Sequence, residues 1–115
     1  MFYVRGYATD AAYFIVGKQP VKLDKSQQKH LKALAHSLKP VVRVGQNGVT
    51  DAVVAEINRA LDDHELIKIK VPGSRDERNE LVSAICDATQ ASHVALTGGV
   101  AIVFRRNTRK PKIEL

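Results

Sequence analysis

Residues 66–71 read Leu-Ile-Lys-Ile-Lys-Val, and this strict alternation narrows the available folds more than any other stretch of the chain. Successive side chains of a strand point to opposite faces, so Ile67, Ile69 and Val71 share a buried face while Lys68 and Lys70 share the other. Pro72-Gly73 ends the run in a turn. On both sides the period changes from strand to helix. Upstream, Val53, Val54, Ile57, Ala60 and Leu61 line one face of a helix from about Thr50 to Asp63, with Asp51, Glu56, Asp62 and Asp63 opposite. Downstream, Ser74 and Glu77 have capping-box spacing and open a helix to about Ala88, with Leu81, Val82 and Ile85 inward.

The remaining elements follow from the same signals. Asp24 and Gln27 repeat the capping-box spacing and open a first helix with an apolar stripe of Leu31, Leu34, Ala35 and Leu38; Pro40 ends it. Val41 to Val44 predicts a short strand, with Arg43 pointing opposite to Val42 and Val44. Strands at about Ser92 to Thr97 and Val100 to Arg105 flank Gly98-Gly99, a two-residue hairpin turn. The order is α-β-α-β-α-β-β. Helical connections between the early strands imply parallel pairing with right-handed crossovers, and the hairpin adds an antiparallel edge. A single α/β domain with a mixed four-stranded sheet results, within reach of 115 residues. Residues 1–20 hold five of the six aromatics and show no clear period, so they read as an extension of unassigned role. The domain spans 21–106, and 107–115 reads as a loose, basic tail.

Charge is segregated along the chain. The formal net charge is +6. Seven Lys/Arg between Lys18 and Val44 face one acid, five acids between Asp51 and Glu65 face one arginine, and five cations from Arg105 to Lys112 stand unopposed. Such separation suits an oriented surface for an anionic partner. On a helical projection Lys22, Lys25, Lys29, Lys32, His36 and Lys39 fall in one arc away from the apolar stripe, with no interleaved acids to pair with them. No apolar run is long enough for a membrane span, and a lone Cys86 forms no internal disulfide, so a reducing, cytoplasmic setting without membrane attachment is expected.

Between the short strand and the second helix stands Gly45-Gln46-Asn47-Gly48. Glycines let a backbone approach closely, and free N–H groups gather at a helix start, so the loop is a physical site for phosphate, with Arg43 just before it. The KH domain clamps a nucleic-acid backbone with a loop of this form. Asp62-Asp63-His64-Glu65 reads as a helix terminus rather than a metal site. No Ser, His or Cys has the partners of a nucleophile, so neither catalysis, metal nor cofactor is expected. Apart from Phe104, assigned to the core, residues 21–106 offer no aromatic ring to stack on bases. Recognition of nucleic-acid backbone and shape is therefore expected, rather than base sequence.

Several segments together carry a resemblance. Leu31-Lys32-Ala33-Leu34-Ala35-His36, Leu38-Lys39-Pro40-Val41-Val42, Val44 to Thr50 across the glycine loop, Ala55-Glu56-Ile57 and His64-Glu65-Leu66-Ile67-Lys68 resemble the CRM (chloroplast RNA splicing and ribosome maturation) domain. The length is similar to its bacterial stand-alone form, the YhbY family. The resemblance implies a fold similar to the C-terminal domain of translation initiation factor three. It also implies RNA binding through Gly45, Gln46, Asn47, Gly48 and the adjacent basic surface, and association with precursors of the large ribosomal subunit. Many family members carry a lysine inside the loop, where this chain has Gln46 and Asn47.

The expected function is thus that of a monomeric, non-catalytic protein binding structured ribosomal RNA in large-subunit assembly. Its contacts are expected from Lys22, Lys25, Lys29, Lys32, His36, Lys39, Arg43, the loop, Lys68 and Lys70. The competing reading is a protein-interaction module whose acidic second helix docks a basic ribosomal protein.

Overall fold

A computed structural model describes residues 22–115 and the backbone of residues 3–4 and 6–7. Tyr3–Val4 (β1) and Gly6–Tyr7 (β2) pair with each other. The rest of the 1–20 extension lies outside the described residues.

Leu66–Lys70 forms strand β4, and its alternation divides the molecule as the sequence requires. Ile67, Ile69 and the following Val71 sink into a core closed by helices α2 (Asp51–His64) and α3 (Arg75–Thr89), through Ile57, Leu61, Val82 and Ile85. Leu66 turns to the other face, where it meets Leu31 and Ala35 of helix α1 (Lys25–Ala35). The four-stranded sheet has the order β3-β4-β6-β5, with β3 at Val42–Arg43, β5 at Ser92–Thr97 and β6 at Val100–Phe104. β3 lies parallel to β4, joined by α2. Helix α3 carries the chain past one strand position to the far edge, and the Gly98-Gly99 turn returns β6 into the gap, antiparallel to both neighbours. Phe104 on β6 is fully buried against α1. Truncating it to alanine would cost about 3–5 kcal/mol.

Local signals place the helix starts well. Asp24 accepts from the Gln27 N–H at 2.8 Å while Gln27 accepts from the Asp24 N–H at 3.1 Å, and Ser74 with Glu77 repeats this reciprocal pair. Thr50 caps α2 through Val53. The end of α1 departs from expectation: it stops at Ala35, not at Pro40. The His36 N–H bonds to the Ala33 carbonyl, the Leu38 N–H bonds to the Ala35 carbonyl, and the Ser37 hydroxyl donates to the Leu34 carbonyl. These short-range bonds close the helix early, and the chain then delivers the Val41 N–H to the Lys68 carbonyl. Leu38 consequently leaves the expected stripe, while Leu34 keeps its place on α1 but at the open margin of the core. Leu34 and Leu38 are 39% and 38% exposed and, with Val41, border an open groove beside Leu66.

The tail is the second correction. Residues 107–115 are tied down rather than loose, because the buried Glu65 carboxylate accepts the N–H groups of Asn107, Lys112 and Ile113.

Candidate nucleic-acid interface

Helix α1 covers only part of its face of the sheet. Lys68 and Lys70 alternate with the buried Ile67 and Ile69, so they lie on the α1 side, as does Arg43, flanked by the buried Val42 and Val44. Arg43 and Lys70 are register partners across the parallel β3–β4 pair. Like charges directly opposite in a sheet are destabilising, and an anion between them removes that penalty. The two side chains flank a surface depression of about 390 Å³ floored by Val71, Pro72, Gly99 and Val100.

The Gly45–Gly48 loop follows β3 at this end of the sheet. It is a turn closed by the Gly48 N–H donating to the Gly45 carbonyl at 3.1 Å. The two glycines are not equivalent. Gly48 has φ +76°, a conformation that disfavours any side chain. Gly45 has no positive φ, and a Cβ built on it would meet nothing within 4 Å. The fold therefore has no need of glycine at position 45. Among the described residues the N–H groups of Gln46, Asn47, Asp51 and Ala52 meet no acceptor. Free donors thus collect at the N-terminus of α2, where the helix dipole also favours negative charge.

Of the expected lysine arc, Lys25, Lys29 and Lys32 stand on α1, spanning roughly 60° at 100° per residue. All three are exposed, and His36 continues the line as the C-cap. Lys22 precedes the N-cap and Lys39 lies beyond the shortened helix; both are exposed, but neither belongs to the helical face. Lys70 is exposed and Lys68 half-buried. The acids Glu56 and Asp63 lie on α2, across the sheet from α1, whereas Asp51 stands in the first turn of α2 beside the glycine turn. Charge segregation along the chain has become segregation between faces.

Among the described residues no group of His, Cys, Asp or Glu could hold a metal ion, and no helix is long and apolar enough to cross a membrane. Burial and the neighbouring Asp87 push the Cys86 thiol up to about 11, so it is not a ready thiolate at neutral pH. Arg105 is committed to structure. It donates to the Asn58 side chain, to the Thr89 carbonyl and to Asp62, tying β6 to α2 and α3.

The basic helix flank, the glycine turn and the cationic sheet edge all fall within the span of one family model. The CRS1 / YhbY (CRM) domain model matches residues 23–105. The chain belongs to that family. A protein of Haemophilus influenzae named as RNA-binding is 43% identical over 94 residues, covering 81% of this chain and 94% of that one. A Pseudomonas aeruginosa protein named a probable RNA-binding protein is 42% identical over 91 residues, covering 78% and 88%. The solution structure of a Staphylococcus aureus protein matches with a TM-score of 0.73 at 28% identity, over 82% of this chain and 99% of that one. The CRM-type α/β fold expected from the residues is therefore the fold observed.

The sequence reading missed one residue that shapes this surface, Glu65. It stands in an acidic run at a helix end, and nothing local shows that its carboxylate turns inward to meet amides more than 40 positions later.

Proposed function

We propose that this protein binds structured RNA through its phosphate backbone, without catalysis, as a cytoplasmic factor in assembly of the large ribosomal subunit. The observation carrying this reading is the set of unsatisfied N–H groups at the Gly45–Gly48 turn beside the Arg43–Lys70 pair. Family membership and the names of the relatives support RNA as the ligand. The free donors and Arg43 take phosphates at the turn; Lys25, Lys29 and Lys32 extend the footprint along α1, and Lys68 and Lys70 extend it on the sheet. The shortage of aromatic side chains in residues 22–115 favours recognition of backbone and shape over stacked bases.

Neutralising phosphates releases counterions, so log K falls linearly with log salt. Lys25→Glu with Lys29→Glu should weaken binding to unrelated stem–loop RNAs by similar factors and flatten that slope, while circular dichroism stays that of the parent. Unchanged affinity would remove α1 from the interface. In cells, crosslinked RNA should map to large-subunit precursors. If the double mutant keeps its RNA contacts but charge reversal at Asp51, Glu56 and Asp63 removes the protein from those precursors, the acidic helix acts as a protein-docking face instead.

A further inference from the structure

The segment after Arg105 lies beyond the family match, yet its backbone is closely tied to the domain. Glu65, at φ 65° and fully buried, caps α2 with its own N–H bonded to the Leu61 carbonyl. Its Oε2 accepts the Asn107 N–H at 2.6 Å, and its Oε1 accepts the N–H groups of Lys112 at 2.7 Å and Ile113 at 2.9 Å. Asn107 folds the intervening turn: its Oδ1 accepts from the Arg109 and Lys110 N–H groups, and its amide donates to the Asp62 carbonyl. Arg106 donates to the Ile113 carbonyl at 2.7 Å. Ile113 packs into the α1 core, and His30 Nε2 lies 3.1 Å from the Glu114 carbonyl.

What this leaves free is informative. Arg109, Lys110 and Lys112 are exposed, and among the described residues none makes an ion pair. Ordering backbone opposes roughly 1–2 kcal/mol of entropy per residue, and burying a carboxylate needs full hydrogen bonding. A segment that only aids solubility needs neither. The end of the segment runs along the flank of α1 that bears His30 and Leu34. On a helical projection Leu34 stands about 180° from Lys25, so the segment and the lysines occupy opposite flanks. The outward ridge between them carries Ser26 and Ala33, both small. A helix about 10 Å across thus separates two cationic borders.

We infer that the C-terminal segment is a second RNA-contacting element, in which Glu65 holds the backbone so that Arg109, Lys110 and Lys112 meet phosphates across α1 from Lys25, Lys29 and Lys32. The inference rests on the RNA-binding reading above. It is tested with a stem–loop RNA titrated at several salt concentrations, using Arg109→Gln/Lys110→Gln/Lys112→Gln and, separately, Glu65→Gln. The triple variant should lose about tenfold or more in affinity, and the slope of log K against log salt should shrink by about 2. Glu65→Gln keeps every cation; it should speed amide exchange in residues 107–113 and weaken binding several-fold with the slope retained. Parent affinity and slope in the triple variant would overturn the inference, as would parent affinity in a Glu65→Gln protein whose segment has loosened. The Lys25→Glu/Lys29→Glu protein separates the two readings. If it binds weakly while the triple variant binds normally, only the second contact is lost; if neither weakens, RNA binding by this face fails altogether.

Discussion

The two ends of the β3–β4 pair treat their backbone donors in opposite ways. At the C-terminal end, the Gly45–Gly48 turn leaves the N–H groups of Gln46, Asn47, Asp51 and Ala52 without acceptors among the described residues. At the N-terminal end, one buried carboxylate gathers three N–H groups from a distant segment. Unsatisfied donors are tolerable only where water or a ligand reaches them. The open end is therefore equipped to bind, and the closed end to hold the chain together. A substitution at the open end should act chiefly on affinity; one at the closed end should act on stability, and on affinity through the segment that Glu65 holds.

Of the substitutions that probe these two ends, Glu65→Ala should have the largest effect. It strands three amides, but the segment can undock into water, which limits the loss to about 2–4 kcal/mol of unfolding free energy. Chemical denaturation measures it; a change under about 0.5 kcal/mol would mean the closed end is not structural. Next comes Arg105→Met, which removes a mostly buried guanidinium bonded to Asn58, Thr89 and Asp62. A loss of about 2–3 kcal/mol is expected, carried by the buried hydrogen bonds rather than by the exposed Asp62 partner.

The glycine pair sharpens the comparison within the open end. Gly48→Ala meets positive φ and should lower stability by about 1 kcal/mol. Gly45→Ala meets neither strain nor neighbour, so its melting temperature should match the parent while RNA affinity falls. If Gly45→Ala binds RNA as the parent does, the turn admits no close approach of phosphate.

The smallest effect belongs to neither end. The Ser74 backbone and hydroxyl hold the Glu77 carboxyl below its ordinary value. A carboxyl with a depressed folded-state pKa stabilises the protein above its unfolded value and loses that contribution as pH falls through the folded one. Glu77 is exposed, so only a shallow dependence is expected below the ordinary value of 4.5. Urea midpoints between about pH 5 and pH 3 should fall slightly less in Ser74→Ala than in the parent, while the lost cap lowers stability at all pH values by about 1 kcal/mol.

Where the sequence was legible, the reason was local. Capping boxes at Asp24–Gln27 and Ser74–Glu77 act over three residues, the Ile67-Lys68-Ile69-Lys70 alternation is intrinsic to a strand, and Gly98-Gly99 makes its turn from its own dihedrals. Lysine positions on α1 were legible for the same reason. Less legible was the point at which α1 stops. An apolar period continued through Leu38, but the demand of β3 for pairing with Lys68 and Lys70 drew the chain out of the helix at Ala35.

By itself, then, the sequence determined the order of elements from α1 onward, the faces of β4 and the sign of each surface, because periodicity, capping and charge are properties of neighbours in the chain. Only the tertiary structure decided that Gly45 is glycine without a conformational need, that Arg105 serves the fold, and that the basic C-terminal segment is held in place. Each of those depends on groups brought together from far apart: an empty volume beside Gly45, the Asn58 and Thr89 oxygens around Arg105, and the Glu65 carboxylate facing amides 42 to 48 residues away. A carboxylate at a helix end looks alike whether it faces water or the interior. Burial is set by the packing of the whole domain, which no window of neighbouring residues contains.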